Sequence, residues 1–278
     1  MKSGFATLVG RPNVGKSTLL NAILGEKVSI VAPSPQTTRT EVRGVLTRAD
    51  AQVVFVDTPG IHKPRTTMGE RLNATAAAAT SGVDVVCLVI DATAPLGKGD
   101  RFVASRVPKD ALCVVNKVDV ADRTQVLQQL ARAAELDLAE YFPVSARTGH
   151  GVSELVKAIV ARLPEGPKYY PDDMVTDQPD QIWVAELVRE QLLAHVREEL
   201  PHSIACRVTE YDWPLIRVEI LVERESQKGI VIGKGGLVLK QVGQAVRAQL
   251  REGAYLDLVV KVEPDWQRQP RSLDRLGY

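Results

Sequence analysis

The residues with the clearest chemistry form the run Gly10-Arg-Pro-Asn-Val-Gly-Lys16-Ser17. The run fits the pattern GxxxxGK[ST] and lies between a strand-like and a helix-like segment, which is the context that this pattern needs. Glycines let backbone N–H groups turn inward around phosphates, and a helix N-terminus adds partial positive charge at the same place. We expect Lys16 to contact the β- and γ-phosphates and the Ser17 hydroxyl to ligate Mg²⁺. The predicted phosphate-binding residues are Gly10, Arg11, Pro12, Asn13, Val14, Gly15, Lys16, Ser17 and Thr18.

A second run, Asp57-Thr58-Pro59-Gly60, ends the next apolar segment and fits DxxG. Asp57 is predicted to hold the magnesium ion, through a water molecule, and the Gly60 N–H to sense the γ-phosphate. DxxG alone is a common turn, so this reading depends on the first run. Ile61 completes the predicted set in this loop.

A third run, Asn116-Lys117-Val118-Asp119, follows another apolar segment and fits NKxD. A carboxylate at position 119 can accept two N–H donors from one edge of guanine, whereas adenine offers no matching pair and would leave the carboxylate unpaired. Asn116 is expected to tie loops together and the Lys117 stem to lie along the base. The run Ser145-Ala146-Arg147 is predicted to bring a backbone N–H to guanine O6. Three motifs in order, each at the carboxyl end of a strand, indicate a GTP site.

Between the first two motifs lies a candidate mobile loop whose threonine could report on γ-phosphate and Mg²⁺. Thr38 is favoured over Thr37 as the ligand. An alternative is that both are ordinary polar loop residues. The predicted switch residues are Gln36, Thr37, Thr38, Arg39 and Thr40.

The position after DxxG is Ile61, where many GTPases carry a glutamine that orients the attacking water. Intrinsic hydrolysis is therefore predicted to be slow. Asn13 is a candidate K⁺ ligand near the bridging oxygens, although it could simply cap local backbone. The predicted catalytic residues are Lys16, Thr38, Gly60 and Asn13, and the predicted Mg²⁺ ligands are Ser17, Thr38 and Asp57.

The elements that must position these residues alternate between strand-like and helix-like patterns over residues 1–165. Continuous apolar runs, such as the one from Val83 to Ile90, are typical of parallel strands buried on both faces. A proline-rich, acidic stretch at 166–180 is predicted to be a solvated linker. Residues 181–278 show the order α-β-β-α-α-β, with a first helix over Ile182–Leu200 that Pro201 ends.

The tail contains a second glycine run, Gly233-Lys-Gly-Gly236, between two helix-like stretches. Lys228, Lys234, Lys240, Arg247 and Arg251 give this region a local charge of +5 without an acid among them. A glycine turn that lets nucleotides pass close to the backbone, beside such a stripe, suits single-stranded RNA, and we expect no DNA partner. The alternative is a solvated basic helix face with a tight turn. The predicted RNA contacts are Lys228, Gly229, Ile232, Gly233, Lys234, Gly235, Gly236 and Lys240.

Composition excludes several other classes of protein. The chain has 278 residues, of which 45% are hydrophobic and 25% charged, and its net charge is +1. These values exclude a disordered or collagen-like chain, and no apolar run reaches the ~20 residues of a membrane span. Three widely spaced cysteines fit a reducing cytosol, and the N-terminus lacks the apolar core of a signal peptide.

In combination, GRPNVGKS, PQTTR, DTPGIHKP, NKVD, SAR and VIGKGG resemble the Era family of bacterial GTPases over nearly the whole chain. The resemblance implies an α/β P-loop GTPase domain with a mostly parallel sheet, followed by an α+β type II KH domain. It also implies Mg²⁺ as cofactor, binding to the 3′ end of 16S ribosomal RNA and docking on the immature 30S subunit. A GTP/GDP switch in the cytoplasm is expected, with peripheral association with the inner face of the cell membrane as an option.

Two rival functions stay open from the residues alone. One is a non-enzymatic RNA adaptor whose nucleotide only stabilises the fold. The other is a phosphotransferase acting on a small acceptor, which NKVD disfavours because that motif argues against ATP. A peripheral membrane GTPase is compatible with the leading hypothesis.

Overall fold

The structure is a computed structural model that describes residues 1–34, 37–61, 64, 66–196 and 200–278. The chain divides into two compact units. Unit 1 comprises residues 1–31, 38–64 and 69–177, and unit 2 comprises residues 32–37, 65–68 and 178–278.

Unit 1 is built on a six-stranded sheet with the order β2-β3-β1-β4-β5-β6. Its strands are β1 (Lys2–Val9), β2 (Val42–Thr47), β3 (Ala51–Asp57), β4 (Val85–Asp91), β5 (Leu112–Asn116) and β6 (Glu140–Pro143). β2 pairs with β3 in antiparallel orientation, and all the other pairs are parallel. The prediction of a mostly parallel sheet is thus confirmed. The carboxyl ends of β1, β3, β4 and β5 meet at one edge, which gathers the loops that follow them.

Helices cover both faces of this sheet. They are α1 (Lys16–Leu24), α2 (Thr67–Ala78), α3 (Lys98–Ala104), α4 (Arg123–Ala134) and α5 (Val152–Arg162). Along β4, Cys87 and Val89 belong to the core under α1 and α5, whereas Leu88 and Ile90 belong to the core under α2, α3 and α4. Because successive side chains point to opposite faces, a strand covered on both sides is apolar throughout.

Residues 166–177 belong to unit 1 and pack against its strands β2 and β3, which differs from the predicted solvated linker over 166–180. The Val45 N–H donates to the Val175 carbonyl at 2.7 Å. The buried amide of Gln52 accepts from the N–H groups of Tyr169 and Tyr170 at 2.7 and 3.0 Å. Prolines remove donors from this stretch, and Gln52 and the edge strand pair with several of its remaining backbone groups.

Unit 2 contains a three-stranded sheet with the order β7-β8-β9. Its elements are α6 (Asp180–His195), α7 (Leu200–Ser203), β7 (Ala205–Asp212), β8 (Leu215–Val222), α8 (Glu225–Ile232), α9 (Leu237–Arg247), β9 (Tyr255–Val262) and α10 (Pro270–Leu276). β8 pairs antiparallel with β7 and parallel with β9. The predicted order α-β-β-α-α-β is found, with α7 and α10 added.

The end of α6 was predicted wrongly. The helix stops at His195 because Val196 has extended backbone angles, and Pro201 lies inside the separate short helix α7. A proline fits the first turn of a helix, where its missing N–H would have had no intrahelical partner.

Candidate nucleotide and RNA sites

Lys16 begins α1 directly after the glycine loop that leaves β1. It is only 6% exposed, and its Nζ donates to the carbonyls of Gly10 and Arg11 at 3.3 and 3.2 Å. Burial lowers the pKa of Lys16, and the nearby Asp57 carboxylate opposes that shift. The loop thus folds around an ammonium group that is held inside it, as a phosphate-binding loop requires.

Three oxygen-bearing side chains converge beside Lys16. The Ser17 hydroxyl lies 2.7 Å from Asp57 Oδ2 and 2.8 Å from the Thr38 hydroxyl, and Thr38 lies 3.3 Å from the same carboxylate oxygen. Asp57 is fully buried, and its Oδ1 has no hydrogen-bond partner among the described residues. Burial raises the pKa of Asp57, although Lys16 and three hydroxyl donors oppose the shift. Oxygen donors with an unpaired buried carboxylate oxygen fit the hard cation Mg²⁺.

The two candidate threonines face different partners. Thr38 is buried at the Ser17 and Asp57 cluster. The Thr37 hydroxyl instead donates to the carbonyls of Ala32 and Ser34, at 3.2 and 2.7 Å. The geometry therefore favours Thr38 as the residue that could reach a bound metal ion. Of the other predicted switch residues, Arg39 is buried, Thr40 is half-buried, and Gln36 lies outside the described residues.

The DxxG loop leaves β3 and lies against the phosphate loop. The Thr58 hydroxyl donates to the Leu8 carbonyl at 3.1 Å, and Pro59 is buried. The Ile61 N–H donates to the Gly10 carbonyl at 3.2 Å. At Gly60, a Cβ would lie 2.7 Å from the Pro12 nitrogen, so this close approach requires glycine. Gly60 can therefore present its backbone beside the loop that would hold the phosphates.

Asn116 joins the phosphate loop to the Ser145–Arg147 loop. Its Nδ2 donates to the Val14 carbonyl at 2.9 Å, and its Oδ1 accepts from the Ala146 N–H at 3.0 Å. The neighbouring Val118 N–H donates to the Val144 carbonyl at 3.2 Å. Asn116 is only 1% exposed, and its side-chain hydrogen bonds fix the spacing between the two loops. The motif predicted that Asn116 would connect loops in this way.

Lys117 and Asp119 sit on the outer side of this loop. The Lys117 Nζ donates to the Asn13 carbonyl at 2.7 Å and pairs with Asp91 at 2.6 Å. The Asp119 carboxylate accepts from the Ser145 hydroxyl at 2.7 Å. These contacts fix the positions of the Lys117 side chain and the Asp119 carboxylate. Arg147, in the neighbouring loop, is exposed.

Two residues of this site escaped the sequence motifs. The Ser29 hydroxyl donates to Asp57 Oδ2 at 3.1 Å. Asp91 ends β4 and holds Lys117; its partial burial works to raise its pKa, but hydrogen bonds from Lys117 and Thr93 outweigh this and lower it. The position of Asp91 at the carboxyl end of an apolar strand was the signal that could have identified it.

In unit 2, the second glycine run forms the turn between α8 and α9. Gly233, Gly235 and Gly236 have φ of 74°, 61° and 77°, and a short 3-10 turn spans Lys234–Gly236. Lys234 and Gly235 are exposed, as is Lys240 on the helix that follows, whereas Lys228 and Ile232 are half-buried. The exposed Ile230 and Leu237 place apolar surface on both sides of the turn. An open glycine backbone with cations and apolar surface beside it matches the RNA-binding turn of KH folds.

The two units therefore define a P-loop GTPase domain followed by a KH domain. Family models agree, since the model described as a 50S ribosome-binding GTPase matches residues 5–117 and the KH domain model matches residues 199–267. No helix among the described residues is long and apolar enough to cross a membrane.

Full-length relatives give the family. The chain is 47% identical to the GTPase Era of Mycolicibacterium paratuberculosis over 295 aligned positions, covering 100% of this chain and 99% of the relative. It is 45% identical to the GTPase Era of Mycobacterium tuberculosis, covering 99% and 98%. The chain belongs to the Era family of GTPases.

Two solved structures are similar over their whole length. One is Era in complex with MgGDPNP and nucleotides 1506–1542 of 16S ribosomal RNA, with a TM-score of 0.96, 39% identity, and coverage of 100% of this chain and 99% of the other. The second is a variant of Aquifex aeolicus Era bound to GDP·AlF4⁻, with a TM-score of 0.94, 39% identity and the same coverage.

Proposed function

We propose that this protein is a GTP-hydrolysing switch that binds 16S ribosomal RNA through its KH domain and assists assembly of the 30S subunit. The observation that carries the proposal is the convergence of Ser17, Thr38 and the buried Asp57 beside Lys16, in a chain whose KH turn is exposed. The solved Era complex with MgGDPNP and 16S RNA nucleotides supports the same ligands for this chain.

The nucleotide contacts are proposed residue by residue. Lys16 would neutralise the β- and γ-phosphates, and Asp119 would accept from the guanine edge. Ser17, Thr38 and Asp57 would hold Mg²⁺, which would neutralise charge that develops on the phosphate oxygens. Thr38 and the Gly60 backbone would respond to the γ-phosphate, since both lie at the phosphate side of the site.

Hydrolysis is proposed to be slow without an activating factor. Ile61 is 7% exposed and packs in an apolar cluster, so its side chain cannot orient water. A K⁺ ion held by the exposed Asn13 would add positive charge near the bridging oxygens. Faster hydrolysis in KCl than in NaCl, lost in Asn13→Ala, would support that role, and equal rates in both salts would refute it.

The proposed activity belongs in the cytoplasm, where ribosomal subunits assemble. Peripheral association with the inner face of the cell membrane stays a prediction of the family resemblance.

The RNA proposal is tested with Gly235→Asp, because a Cβ at this position meets no atom from elsewhere in the fold within 4 Å and aspartate tolerates a positive φ. Gly235→Asn is the matched control, since it has the same size without the charge. We expect Gly235→Asp to weaken binding of the 3′-terminal 16S RNA by about tenfold through repulsion of the phosphates, with GTP hydrolysis retained. RNA affinity is measured by fluorescence anisotropy. If both variants and the wild type bind equally well, the turn does not contact the RNA.

Coupling between the nucleotide and RNA sites is tested by repeating the RNA titration with GDPNP and with GDP. Different affinities support a switch. Equal affinities, together with hydrolysis that RNA never stimulates, would favour a non-enzymatic RNA adaptor.

A further inference from the structure

A pocket of about 390 Å³ opens in unit 2, away from the glycine turn. Its volume lies in the range of sites for small ligands. Its lining includes Asp180, Tyr211, Trp213, Ile216, Gln249 and Arg251. They come from α6, from both strands around the β7–β8 turn, and from the segment that follows α9.

Aromatic rings and a cation give this pocket its chemistry. Trp213 is 39% exposed, and the Arg251 guanidinium lies 5.6 Å from the centre of its ring. The Tyr211 side chain adds a second aromatic ring to the lining. Flat rings beside a guanidinium are the surfaces on which unpaired bases stack.

Polar groups in the lining can meet the edge of a base. The Asp180 carboxylate, which accepts from the Tyr211 hydroxyl at 3.3 Å, offers acceptors. The Gln249 amide, whose Nε2 donates to the Ala245 carbonyl at 3.2 Å, adds a second polar group to the lining. A few polar groups in a mostly apolar lining are typical of sites that orient a heterocycle.

The helix α9 connects this pocket to the glycine turn. The helix starts directly after the turn and ends just before Gln249, so its 11 residues separate the two features. That length corresponds to about 16 Å. Lys240, Arg247 and Arg251 are exposed along this path, which favours a polyanion over a neutral peptide. A KH turn clamps about four nucleotides, and the pocket lies at the other end of α9 from this turn.

We propose that this pocket binds one unpaired base of an RNA strand whose neighbouring nucleotides occupy the glycine turn. The proposal rests on the RNA-binding function proposed above and adds a second point of contact. RNA that extends past the turn should therefore bind more tightly than RNA that fills only the turn.

The test compares four- and twelve-nucleotide oligouridylate and oligoadenylate in binding to the full-length protein, by fluorescence anisotropy. Trp213→Ala is expected to weaken binding of the longer RNA by about five- to a hundredfold, the range for losing one stacked base, while the four-nucleotide RNA loses much less. Trp213→Phe, which keeps a stacking ring, should retain most of the affinity. Arg251→Gln, an exposed change that leaves the fold intact, should weaken the longer RNA in the same selective way.

Three results would overturn the pocket assignment. One is equal loss for both lengths in Trp213→Ala; another is no loss in either variant. The third concerns a decaproline peptide that quenches the fluorescence of Trp213. If Trp213→Ala weakens binding of this peptide but leaves the RNA affinity unchanged, the pocket is a peptide site. Failure of the wild type to bind these oligonucleotides and the 3′-terminal 16S RNA would instead reject the RNA function itself.

Discussion

The nucleotide site and the glycine turn of unit 2 are both proposed to bind phosphates, yet they are constructed in opposite ways. Lys16, Asp57 and Asn116 are at most 6% exposed, and side-chain hydrogen bonds hold all three. Around Gly235, by contrast, shape comes from backbone angles, and the cations Lys234 and Lys240 are exposed. A small, highly charged ligand gains from an enclosed site that is formed in advance, because desolvated contacts are stronger. A strand of RNA needs an open backbone along which it can pass.

The largest effect should come from removing a prepositioned charge at the base site. In Asp119→Asn the amide would present a donor where guanine needs an acceptor. GTP affinity should fall by about 10²–10⁴-fold, and affinity for xanthosine triphosphate should rise, since xanthine has a carbonyl in place of the guanine amino group. Titration calorimetry with both nucleotides measures the change.

The matched control is Asp122→Asn, which makes the same change at the N-cap of α4. Asparagine is as good an N-cap residue as aspartate, so the helix should keep its stability. Its GTP affinity should equal that of the wild type. Unchanged GTP affinity in Asp119→Asn would mean that the carboxylate does not select the base.

A second comparison separates two glycines of the unit 2 turn. A Cβ at Gly233 would lie 2.5 Å from Val238 Cγ2 and 2.9 Å from the Val238 backbone nitrogen, whereas one at Gly235 meets nothing within 4 Å. Gly233→Ala should lower the free energy of unfolding by about 2–5 kcal/mol, from overpacking added to strain, and Gly235→Ala by about 1–2 kcal/mol from strain alone. Urea unfolding curves give both values, and equal losses would show that packing around Gly233 adjusts freely.

The smallest effect concerns the position after DxxG. Because the Ile61 side chain packs in the core, Ile61→Gln should not accelerate GTP hydrolysis, and burial of its amide should cost about 1–3 kcal/mol of stability. Ile61→Leu, of similar volume, should lose less than about 1.5 kcal/mol. A higher kcat in Ile61→Gln, in a steady-state phosphate-release assay, would show that this side chain can turn toward the nucleotide.

Much of both units could be predicted from the sequence because their signals are local. Apolar strands that end in spaced motifs, and the strand–helix order of the tail, depend on neighbours along the chain. Other features depend on contacts across the fold. β2 was missed because its antiparallel place on β3 is defined by pairing, and Ser29 reaches Asp57 from a loop with no motif. The packing of residues 166–177 on Gln52 likewise has no local pattern.

Two contacts hold the loop after β3 in its place beside the phosphate loop. Its hold on the phosphate loop is made of main chain, through the Ile61 N–H and the Gly10 carbonyl, while the Ile61 side chain anchors it from beneath. Moving a buried isoleucine side chain into water costs about 1.5–3 kcal/mol. A free energy of that size changes the ratio of two populations by about ten- to a hundredfold. Any position of the loop away from the phosphate loop would therefore require breaking this hydrogen bond and exposing the Ile61 side chain.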